Sequence, residues 1–261
     1  MSGVTDKVVV ITGASSGIGA ALAEKLAAEG ARPVLVARRE AALAEVAARA
    51  KGARFVVADV TKRADVERAR DEAIRVHGHV DVWVNNAGRG ISRTVLELTD
   101  EDVDDMILVN VKAALYGIQA IVPHFKERGR GHLINVSSML GRVPFAPIRS
   151  AYAASKHALN SLTANLRMDL RASHPGIDVT TVSPGVVATD FGLNALHGGT
   201  DSRKIPGAQD VGEVAQVIVD VIAEPKADVY TRPGAREMVA SFYAAEDMAR
   251  AETDGPFAPR R

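Results

Sequence analysis

Short runs of apolar, mostly β-branched residues alternate along this chain with longer stretches rich in Ala, Leu, Glu and Arg. Several of the short runs, such as VVVIT and VWV, are apolar without interruption, which is typical of strands buried on both faces of a parallel sheet. The short runs predict strands at residues 7–12, 33–37, 54–58, 80–84, 131–136, 177–182 and, more weakly, 227–230. The longer stretches predict helices at residues 18–29, 40–50, 64–76, 101–126, 151–173 and 211–223.

Regular alternation of strands and helices predicts right-handed βαβ units, and therefore an α/β fold with a doubly wound sheet. The length of 261 residues suits one such domain, which we expect to span residues 1–253. Residues 188–212 form a long, glycine-rich connection of the kind that serves as a lid or a binding loop. Residues 254–261 are expected to form a loosely packed C-terminal tail.

Composition excludes several classes of function. The formal net charge is zero, so no overall field attracts nucleic acid or an anionic membrane. The most apolar long stretch, residues 106–123, is interrupted by Asn110 and Lys112, which argues against a membrane span. The N-terminal apolar run is too short for a signal peptide, and the chain has no cysteine, so we expect a cytoplasmic protein without disulfides or thiolate metal sites.

The first predicted strand is followed by the segment TGASSGIG. A strand, a glycine-rich turn and a helix in this order form a phosphate-binding site, because the helix N-terminus offers unpaired N–H groups and a partial positive charge. Gly13 can make the tight turn, Gly17 lets the backbone approach a pyrophosphate, and Gly19 lets the helix pack closely on the sheet. Ser15 and Ser16 add hydroxyl donors. Because the glycine spacing is not the commonest one, an ordinary flexible turn is the alternative.

The second predicted strand ends in VLVARRE. Dinucleotide sites that prefer NAD usually place a carboxylate here, where it accepts a hydrogen bond from the ribose 2′-hydroxyl. In this chain Ala37 is followed by Arg38 and Arg39, and an arginine can bind a 2′-phosphate in a bidentate manner. The sequence therefore favours NADP(H) over NAD(H). The alternative, a solvated basic start of a helix, fits Arg39 better than Arg38.

The segment SAYAASKHAL places Tyr152 and Lys156 four residues apart, on one face of a predicted helix. An isolated tyrosine has a pKa of about 10, too high to exchange protons readily at neutral pH. A nearby ammonium lowers the pKa of a phenol by roughly 1–3 units. Tyr152 is therefore a candidate general acid/base and Lys156 the residue that lowers its pKa, with a surface helix pair as the alternative.

Other candidate residues stand at the carboxyl ends of predicted strands, where ligands of α/β sheets bind. Asn110 is a further candidate, since a buried amide needs partners and could either hold a water relay or be a satisfied core amide. Ordinary turn formation is the alternative for the strand-end residues, which are Asn86, Ala87 and Gly88 after the fourth strand, Ser137 and Ser138 after the fifth, and Pro184, Gly185 and Thr189 after the sixth.

Taken together, these motifs resemble the short-chain dehydrogenase/reductases in their compact, single-domain form. TGASSGIG, NNAG, Asn110, Ser138, YAASK and PGVVAT stand in the family's order, and the resemblance covers roughly residues 7–222. It implies a single Rossmann-type domain of about seven parallel strands flanked by helices. It also implies an NADP(H)-dependent enzyme that transfers a hydride between nicotinamide and a carbonyl or secondary alcohol, and that forms a homodimer or homotetramer.

The resemblance also implies individual roles. Tyr152 would exchange the proton, and Lys156 would lower the pKa of Tyr152 and bind the nicotinamide ribose. Ser138 would hold the substrate oxygen, and Asn110 would anchor a water of the proton relay. Ser138 stands one position farther from Tyr152 than is usual in the family, so an extra loop residue is expected, and Ser137 is the alternative. The implied cofactor contacts are Gly13, Ser15, Ser16, Gly17, Ile18, Gly19, Arg38, Arg39, Asp59, Val60, Asn86, Ala87, Gly88, Tyr152, Lys156, Pro184, Gly185, Val187 and Thr189.

The sequence describes the substrate only loosely. A mainly apolar substrate is expected, although three arginines, Arg89, Arg142 and Arg149, could meet an anion or be solvated. A non-catalytic NADP(H)-binding sensor or scaffold is the alternative function, but such a protein is expected to lack the Tyr, Lys and Ser set. The candidate pocket residues are Leu140, Val143, Phe145, Phe191, Leu193, Leu196 and His197.

Overall fold

The computed structural model describes residues 3–253, so the tail predicted at residues 254–261 lies outside the described residues. The strands are β1 (Val8–Thr12), β2 (Arg32–Ala37), β3 (Arg54–Val57), β4 (Val82–Asn85), β5 (Gly131–Val136), β6 (Ile177–Ser183) and β7 (Asp228–Tyr230). The α-helices are α1 (Gly17–Ala28), α2 (Glu40–Arg49), α3 (Arg63–His77), α4 (Asp100–Ile107), α5 (Ala113–Arg128), α6 (Ser150–Arg171), α7 (Val211–Ala223), α8 (Ala235–Tyr243) and α9 (Met248–Thr253).

All seven strands pair in parallel, in the order β3-β2-β1-β4-β5-β6-β7. The chain starts near the middle of the sheet, builds outward to β3 and then crosses back to β4. The order therefore reverses between β1 and β4, and the loops that leave these two strands diverge and open a crevice at their carboxyl ends. This architecture confirms the predicted α/β, doubly wound fold.

Helices cover both faces of the sheet. Val9 and Ile11 of β1 pack in a core with α1, α2 and α7, whereas Val8 and Val10 pack in a second core with α3 and α5. Successive side chains of a strand point to opposite faces, so a strand between two helix layers must be apolar at every position. This explains the uninterrupted run VVVIT.

The helix predicted at residues 101–126 is in fact two helices. A π-helical turn, Leu108–Lys112, separates α4 from α5. The apolar pattern continues through this turn, so the sequence did not indicate that the helix is interrupted there. The run Asp100–Arg128 is the one helical segment in the described residues that is long and apolar enough to cross a membrane, but 56% of its most apolar window is buried inside the protein. It is a core segment of this fold.

Two further helices, α8 and α9, were not predicted. Helix α8 packs its apolar side, which includes Phe242, against Met139 and Phe145 rather than against the sheet. Such a short helix, whose partners are loop residues, gives little periodic signal. The fourth strand also begins at Val82, two residues later than predicted, because the chain at Val80 still contacts α5 through His124.

A buried chain of amides and hydroxyls ties the two central strands to the helices. Asn85 accepts a hydrogen bond from Trp83 Nε1 at 2.8 Å and donates to Asn135 at 2.9 Å, and Asn135 donates to Thr163 of α6 at 2.8 Å. Helix α5 can approach this chain only because residue 117 is glycine. A Cβ atom at Gly117 would lie 2.6 Å from Trp83 Nε1 and closer still to Asn85 Oδ1.

We expect Gly117→Ala to lower the free energy of unfolding by about 1–3 kcal/mol, because the added methyl group overpacks the interface between α5 and β4. This loss would exceed the gain of roughly 1 kcal/mol that alanine brings to a helix interior. Urea denaturation measures the difference. Gln119→Ala, on the exposed side of the same helix, is the control and should change stability by less than about 0.5 kcal/mol. An unchanged midpoint for Gly117→Ala would contradict the packing argument.

Candidate active site

The turn between β1 and α1 is fixed against the end of β4. Thr12 Oγ1 accepts hydrogen bonds from the backbone N–H groups of Asn86 and Ala87, at 3.0 and 3.1 Å, and Asn86 Nδ2 donates to the Thr12 carbonyl at 2.9 Å. Gly13 has φ +67° and would place a Cβ 2.8 Å from the Ala87 Cα, so no other residue fits there. Gly19 packs against the Gly13 carbonyl in the same way, and this allows the close approach of helix and strand that the sequence predicted.

A cavity of about 820 Å³ opens above this turn, at the carboxyl ends of the strands. Among the residues predicted to bind cofactor or take part in catalysis, Gly19 and Asn110 do not line it, because both are held behind its wall. The predicted residues that do line it are Gly13, Ser15, Ser16, Gly17, Ile18, Arg38, Arg39, Asp59, Val60, Asn86, Ala87, Gly88, Ser138, Tyr152, Lys156, Pro184, Gly185, Val187 and Thr189.

One end of the cavity is basic. Arg39 donates to the hydroxyls of Ser15 and Ser16, at 3.1 and 3.0 Å, and so spans the mouth of the glycine-rich turn. Arg38 is exposed and lines the cavity beside it. Arg39 is thus not a simply solvated residue, which is the interpretation that the sequence allowed. Ser16 begins α1 without capping it through its side chain, so it leaves N–H groups of the helix start available to a ligand.

Asp59 lies at the end of β3, on the same side. Its Oδ1 atom accepts hydrogen bonds from the backbone N–H and the hydroxyl of Thr61, at 3.0 and 2.7 Å. The Thr61 contacts fix the orientation of the carboxylate at the cavity wall, next to Val60. An oriented acceptor of this kind can receive a hydrogen bond from an amino group.

Tyr152 is 8% exposed and Lys156 is 3% exposed, both on the face of α6 that meets the cavity. Burial raises the pKa of Tyr152, while a hydrogen bond with the Ser138 side chain and the charge of Arg149 oppose that rise. Lys156 Nζ donates to the Val136 carbonyl at 3.0 Å and lies 5.7 Å from the centre of the Tyr152 ring. The sequence predicted that Lys156 lowers this pKa. Instead, burial of the phenol is the largest influence and raises it, and Lys156, which is directed to the end of β5, is not among the groups that oppose the rise.

Burial also acts on Lys156 itself. It lowers the pKa of the ammonium group from the ordinary value of 10.5 to about 8. The Val136 carbonyl is the hydrogen-bond acceptor that keeps the charged form in place. A lysine whose pKa lies this close to neutrality can lose its proton without a large change in pH.

The two neighbouring serines face different surroundings. The side chain of Ser138 is hydrogen-bonded to Tyr152, and its Oγ accepts from the Leu140 N–H at 3.1 Å. Ser137 Oγ instead points to the Lys156 carbonyl, at 3.5 Å. Ser138 is therefore the serine beside the phenol, despite its unusual spacing in the sequence. A single 3₁₀ turn, Met139–Gly141, opens the loop that accommodates the extra residue.

Asn110 lies in the π-helical turn and is 1% exposed. Its Oδ1 accepts from the Arg89 N–H at 2.9 Å, and its Nδ2 donates to the Arg89 carbonyl at 3.0 Å and to Ser155 Oγ at 3.1 Å. The side chain is a satisfied core amide, one of the two alternatives that the sequence left open. It holds the segment that follows Gly88, and a relay through this residue stays a prediction.

The predicted pocket residues divide into three groups. Leu140 and Phe191 line the cavity, and the Phe191 ring lies 5.6 Å from the Tyr152 ring. Val143 and Phe145 are instead buried against α8, where Phe145 meets Phe242 at 5.1 Å. The remaining three, Leu193, Leu196 and His197, do not line the cavity.

Each member of this last group has another environment. Leu193 is 48% exposed, Leu196 pairs with Ile91, and His197 Nε2 lies 2.6 Å from Asp102 Oδ1. These contacts tie the tip of the 188–212 loop to the start of α4 and to the segment before it. Helix α8 contributes lining residues that the sequence analysis missed together with the helix, namely Ala235 and Met238. Other lining residues that were not predicted include Ile148, Asn194 and Arg232.

No group of three or more His, Cys, Asp or Glu residues that could hold a metal ion occurs in the part of the chain described, residues 3–253. The site therefore offers a glycine-rich turn, basic residues at one end and a Ser, Tyr and Lys group at the other. This arrangement suits a phosphate-bearing cofactor and proton transfer.

Comparison with known proteins agrees with this geometry. The family model described as short chain dehydrogenase matches residues 7–197. An uncharacterized oxidoreductase of Staphylococcus epidermidis is 37% identical over 228 residues, which cover 86% of this chain and 94% of that protein. An uncharacterized oxidoreductase of Staphylococcus aureus is 35% identical over 230 residues, which cover 87% of this chain and 95% of that protein.

Solved structures are similar as well. A short chain dehydrogenase/reductase from Burkholderia phymatum, in complex with NAD, has 28% sequence identity and a TM-score of 0.84, and the match covers 93% of this chain and 95% of that one. An alcohol dehydrogenase from the archaeon Thermococcus sibiricus, complexed with 5-hydroxy-NADP, has 28% identity and a TM-score of 0.74, over 85% and 94% of the two chains. The fold, the family match and these relatives together show that the chain belongs to the short-chain dehydrogenase/reductase family of NAD(P)(H)-dependent oxidoreductases.

Proposed function

We propose that the protein is an NADP(H)-dependent oxidoreductase that transfers a hydride between nicotinamide and a carbonyl or secondary alcohol, with Tyr152 as the general acid/base. The observation that carries the proposal is the contact between Ser138 and Tyr152 in the same cavity as the glycine-rich turn. Ser138 and Tyr152, which can bind the substrate oxygen, and the glycine-rich turn, which can bind a pyrophosphate, thus line the same cavity. Lining side chains such as Leu140, Ile148 and Phe191 leave room for a partly apolar substrate.

The residues of the cavity fit a dinucleotide. A pyrophosphate would lie on the N-terminus of α1, against the backbone of Gly13 and Gly17. The adenosine would lie toward Asp59 and Val60, and the nicotinamide toward Val187 and Thr189, at the opposite end of the wall. All of these residues line the cavity. When bound, the nicotinamide supplies or accepts the hydride.

The preference for NADP(H) rests on the basic end of the cavity. Arg38 and Arg39 follow β2, where a carboxylate would repel a 2′-phosphate. Two guanidinium groups can hold such a phosphate through charge-assisted hydrogen bonds. Arg39 is anchored on Ser15 and Ser16 through Nη2, whereas the side chain of Arg38 is exposed beside it, and we assign the main phosphate contact to Arg38.

The proton chemistry follows from the environment of Tyr152. Because burial raises its pKa, the phenol is neutral at physiological pH and can donate its proton to a carbonyl oxygen during reduction. Ser138 donates a hydrogen bond to the same oxygen and orients it. In the direction of oxidation, Tyr152 takes the proton of the alcohol. Lys156, which lines the cavity and is held by Val136, would bind the nicotinamide ribose.

The non-catalytic sensor predicted as an alternative has no specific observation in its favour, because the Ser, Tyr and Lys group is present and assembled. A cytoplasmic location and a homodimer or homotetramer are further proposals. Exposed apolar side chains on α4 and α6, at Val103, Leu162 and Met168, give such an assembly a surface to bury.

The proposal is tested first by Tyr152→Phe. NADPH consumption is followed over a panel of ketones, aldehydes, oxo acids and keto-acyl thioesters. We expect the variant to keep its fold and its NADPH affinity but to lose turnover by about 100-fold or more, since general acid/base catalysis contributes roughly 10²–10⁴ in rate. Tyr116→Phe, at a tyrosine that stacks under Arg63 outside the cavity, is the matched control. Retention of more than about a tenth of the activity would refute the role of Tyr152.

Cofactor preference is tested by Arg38→Asp. We expect the dissociation constant for NADPH to rise about 10- to 100-fold, the range for charge-assisted hydrogen bonds worth roughly 1.5–3 kcal/mol. Binding of NADH, which lacks the 2′-phosphate, should change little. Fluorescence titration with both cofactors measures this, with Arg49→Asp, an exposed arginine on α2 paired to Glu24, as control. Equal effects on the two cofactors would rule out a 2′-phosphate contact at Arg38.

The buried ammonium of Lys156 predicts a pH dependence of stability. Its pKa is lower in the folded protein, about 8, than in the unfolded chain, so between pH 8 and about 10.5 the unfolded state binds more protons. The contribution of Lys156 to the free energy of unfolding therefore rises with pH across this window, by up to about 3 kcal/mol.

Lys156→Met removes this titration. Relative to wild type, the variant should be most stable at pH 7 and lose that advantage toward pH 10, while its turnover is low throughout. Thermal unfolding at several pH values tests this, with Lys126→Met, on an exposed position of α5, as control. A stability difference between Lys156→Met and wild type that does not vary from pH 7 to pH 10 would contradict the lowered pKa.

A further inference from the structure

The cavity arginine that lies nearest to Tyr152 along the chain has no carboxylate partner among residues 3–253. Arg149 immediately precedes α6, lies three positions before Tyr152 and lines the cavity. Its Nη1 donates to the Ile91 carbonyl at 3.0 Å, and its side chain is half-buried. Burial lowers the pKa of Arg149, and the ionisable group that opposes this lowering is Tyr152 itself. No acidic residue contributes to holding the charge.

The other two arginines that the sequence indicated as possible anion contacts are already paired. Arg142 binds both carboxylate oxygens of Asp228, at 2.7 and 2.8 Å, and does not line the cavity. Arg89 lies 3.6 Å from Asp105. Of the three, Arg149 alone has no carboxylate within 4 Å among the described residues.

Two glycines leave space for the Arg149 guanidinium next to the catalytic group. A Cβ atom at Gly90 would lie 3.0 Å from Arg149 Nη1 and 3.0 Å from the ring of Phe191, and one at Gly199 would lie 3.1 Å from Nη2. Phe191 in turn lies 5.6 Å from the Tyr152 ring, centre to centre. The cation, the phenol and an aromatic wall therefore surround the same part of the cavity, beneath the 188–212 loop.

A cation held in a partly dry cavity is costly unless an anion pairs with it. The planar guanidinium matches a carboxylate in a bidentate manner, and the hydrogen bond to the Ile91 carbonyl uses only one of its five donors. We propose that Arg149 binds a carboxylate of the substrate, so that the enzyme acts on oxo acids and hydroxy acids rather than on neutral ketones and alcohols. This inference rests on the proposed function and specifies its substrate class.

The spacing limits the substrate further. Arg149 and Tyr152 are three positions apart at the start of α6 and line the same cavity, so both can contact one small substrate. The carboxylate would therefore lie close to the reacting carbon, as in 2-, 3- or 4-oxo acids. Leu140, Ile148 and Met238 line the cavity beyond it and would contact the rest of the substrate.

The test compares each 2-, 3- and 4-oxo acid with its methyl ester, using NADPH consumption by the full chain. We expect wild type to prefer the acid, and Arg149→Gln to lower kcat/KM for the acid about 10- to 100-fold more than for the ester, because the effect of the lost charge on Tyr152 is common to both substrates. Arg149→Lys keeps the positive charge but loses the planar guanidinium, so its preference for the acid should lie between those of wild type and Arg149→Gln. Arg203→Gln is the matched control, because Arg203 pairs with Asp201 and does not line the cavity. Its ratio of acid to ester activity should equal that of wild type.

Binding supplies a readout that does not need turnover. Calorimetry with pentanoate and pentanamide on the NADPH-saturated protein should show tighter binding of the carboxylate by wild type and no such preference in Arg149→Gln. An unchanged NADPH affinity shows that the variant is folded. Equal binding of the two probes by wild type, or a preference that survives Arg149→Gln, would overturn the proposal. A preference lost instead in Arg232→Gln, at another cavity arginine without an acidic partner, would also overturn it.

These outcomes separate the two proposals. Turnover of neutral carbonyls that depends on Tyr152, with no preference for acids, would refute the carboxylate site and leave the proposed function standing. Carboxylate binding that depends on Arg149, with no Tyr152-dependent turnover of any substrate, would refute the proposed function and leave the site.

Discussion

The site depends on a single close approach, between the ends of β1 and β4. The strand order reverses between these two neighbours, and three hydrogen bonds join Thr12 of one to Asn86 and Ala87 of the other. Because the backbones nearly touch, Gly13 cannot carry a side chain. This contact sets the direction in which the chain enters α1, and with it the position of the helix N-terminus and the floor of the cavity. The remaining site residues are placed relative to this floor by the strands on either side.

The proposed catalytic residues Tyr152 and Lys156 are buried, and few charged groups offset the effect of burial on their pKa values. Tyr152 and Lys156 are both removed from water, which raises the pKa of the phenol and lowers that of the ammonium, so that each favours its neutral form. The two shifts move the proton affinities of the pair apart, so that the phenol holds its proton more tightly than the ammonium does. Ser138 and Arg149 act on Tyr152 from the cavity side, whereas Lys156 is held from behind by β5. The reactivity of the phenol thus depends on what enters the cavity as well as on the protein.

Much of this could be predicted from the sequence, for identifiable reasons. The run VVVIT is apolar because both faces of β1 are covered, and TGASSGIG carries glycines because the backbone of its turn leaves no room for side chains; both are local signals. The cavity wall formed by α8, the pairing of Arg142 with Asp228, and the direction of Lys156 toward Val136 join residues far apart in the chain. No local pattern contains such contacts. Asn110 shows the limit best, because its type suggested a buried polar role, but only the fold revealed that Arg89 and Ser155 satisfy it.

Because α8 forms part of the cavity wall, similarity to relatives is limited as a guide to the substrate. The family model ends at residue 197, whereas Arg232, Ala235 and Met238, which border the same cavity, come after that point. The matched segment and the residues that close the cavity near α8 are therefore separate stretches of the chain. A relative can match the first segment, which holds the glycine-rich turn, Tyr152 and Lys156, and still differ in the residues that border the substrate space. Transfer of a substrate from one member to another thus requires comparison of this C-terminal segment, residue by residue.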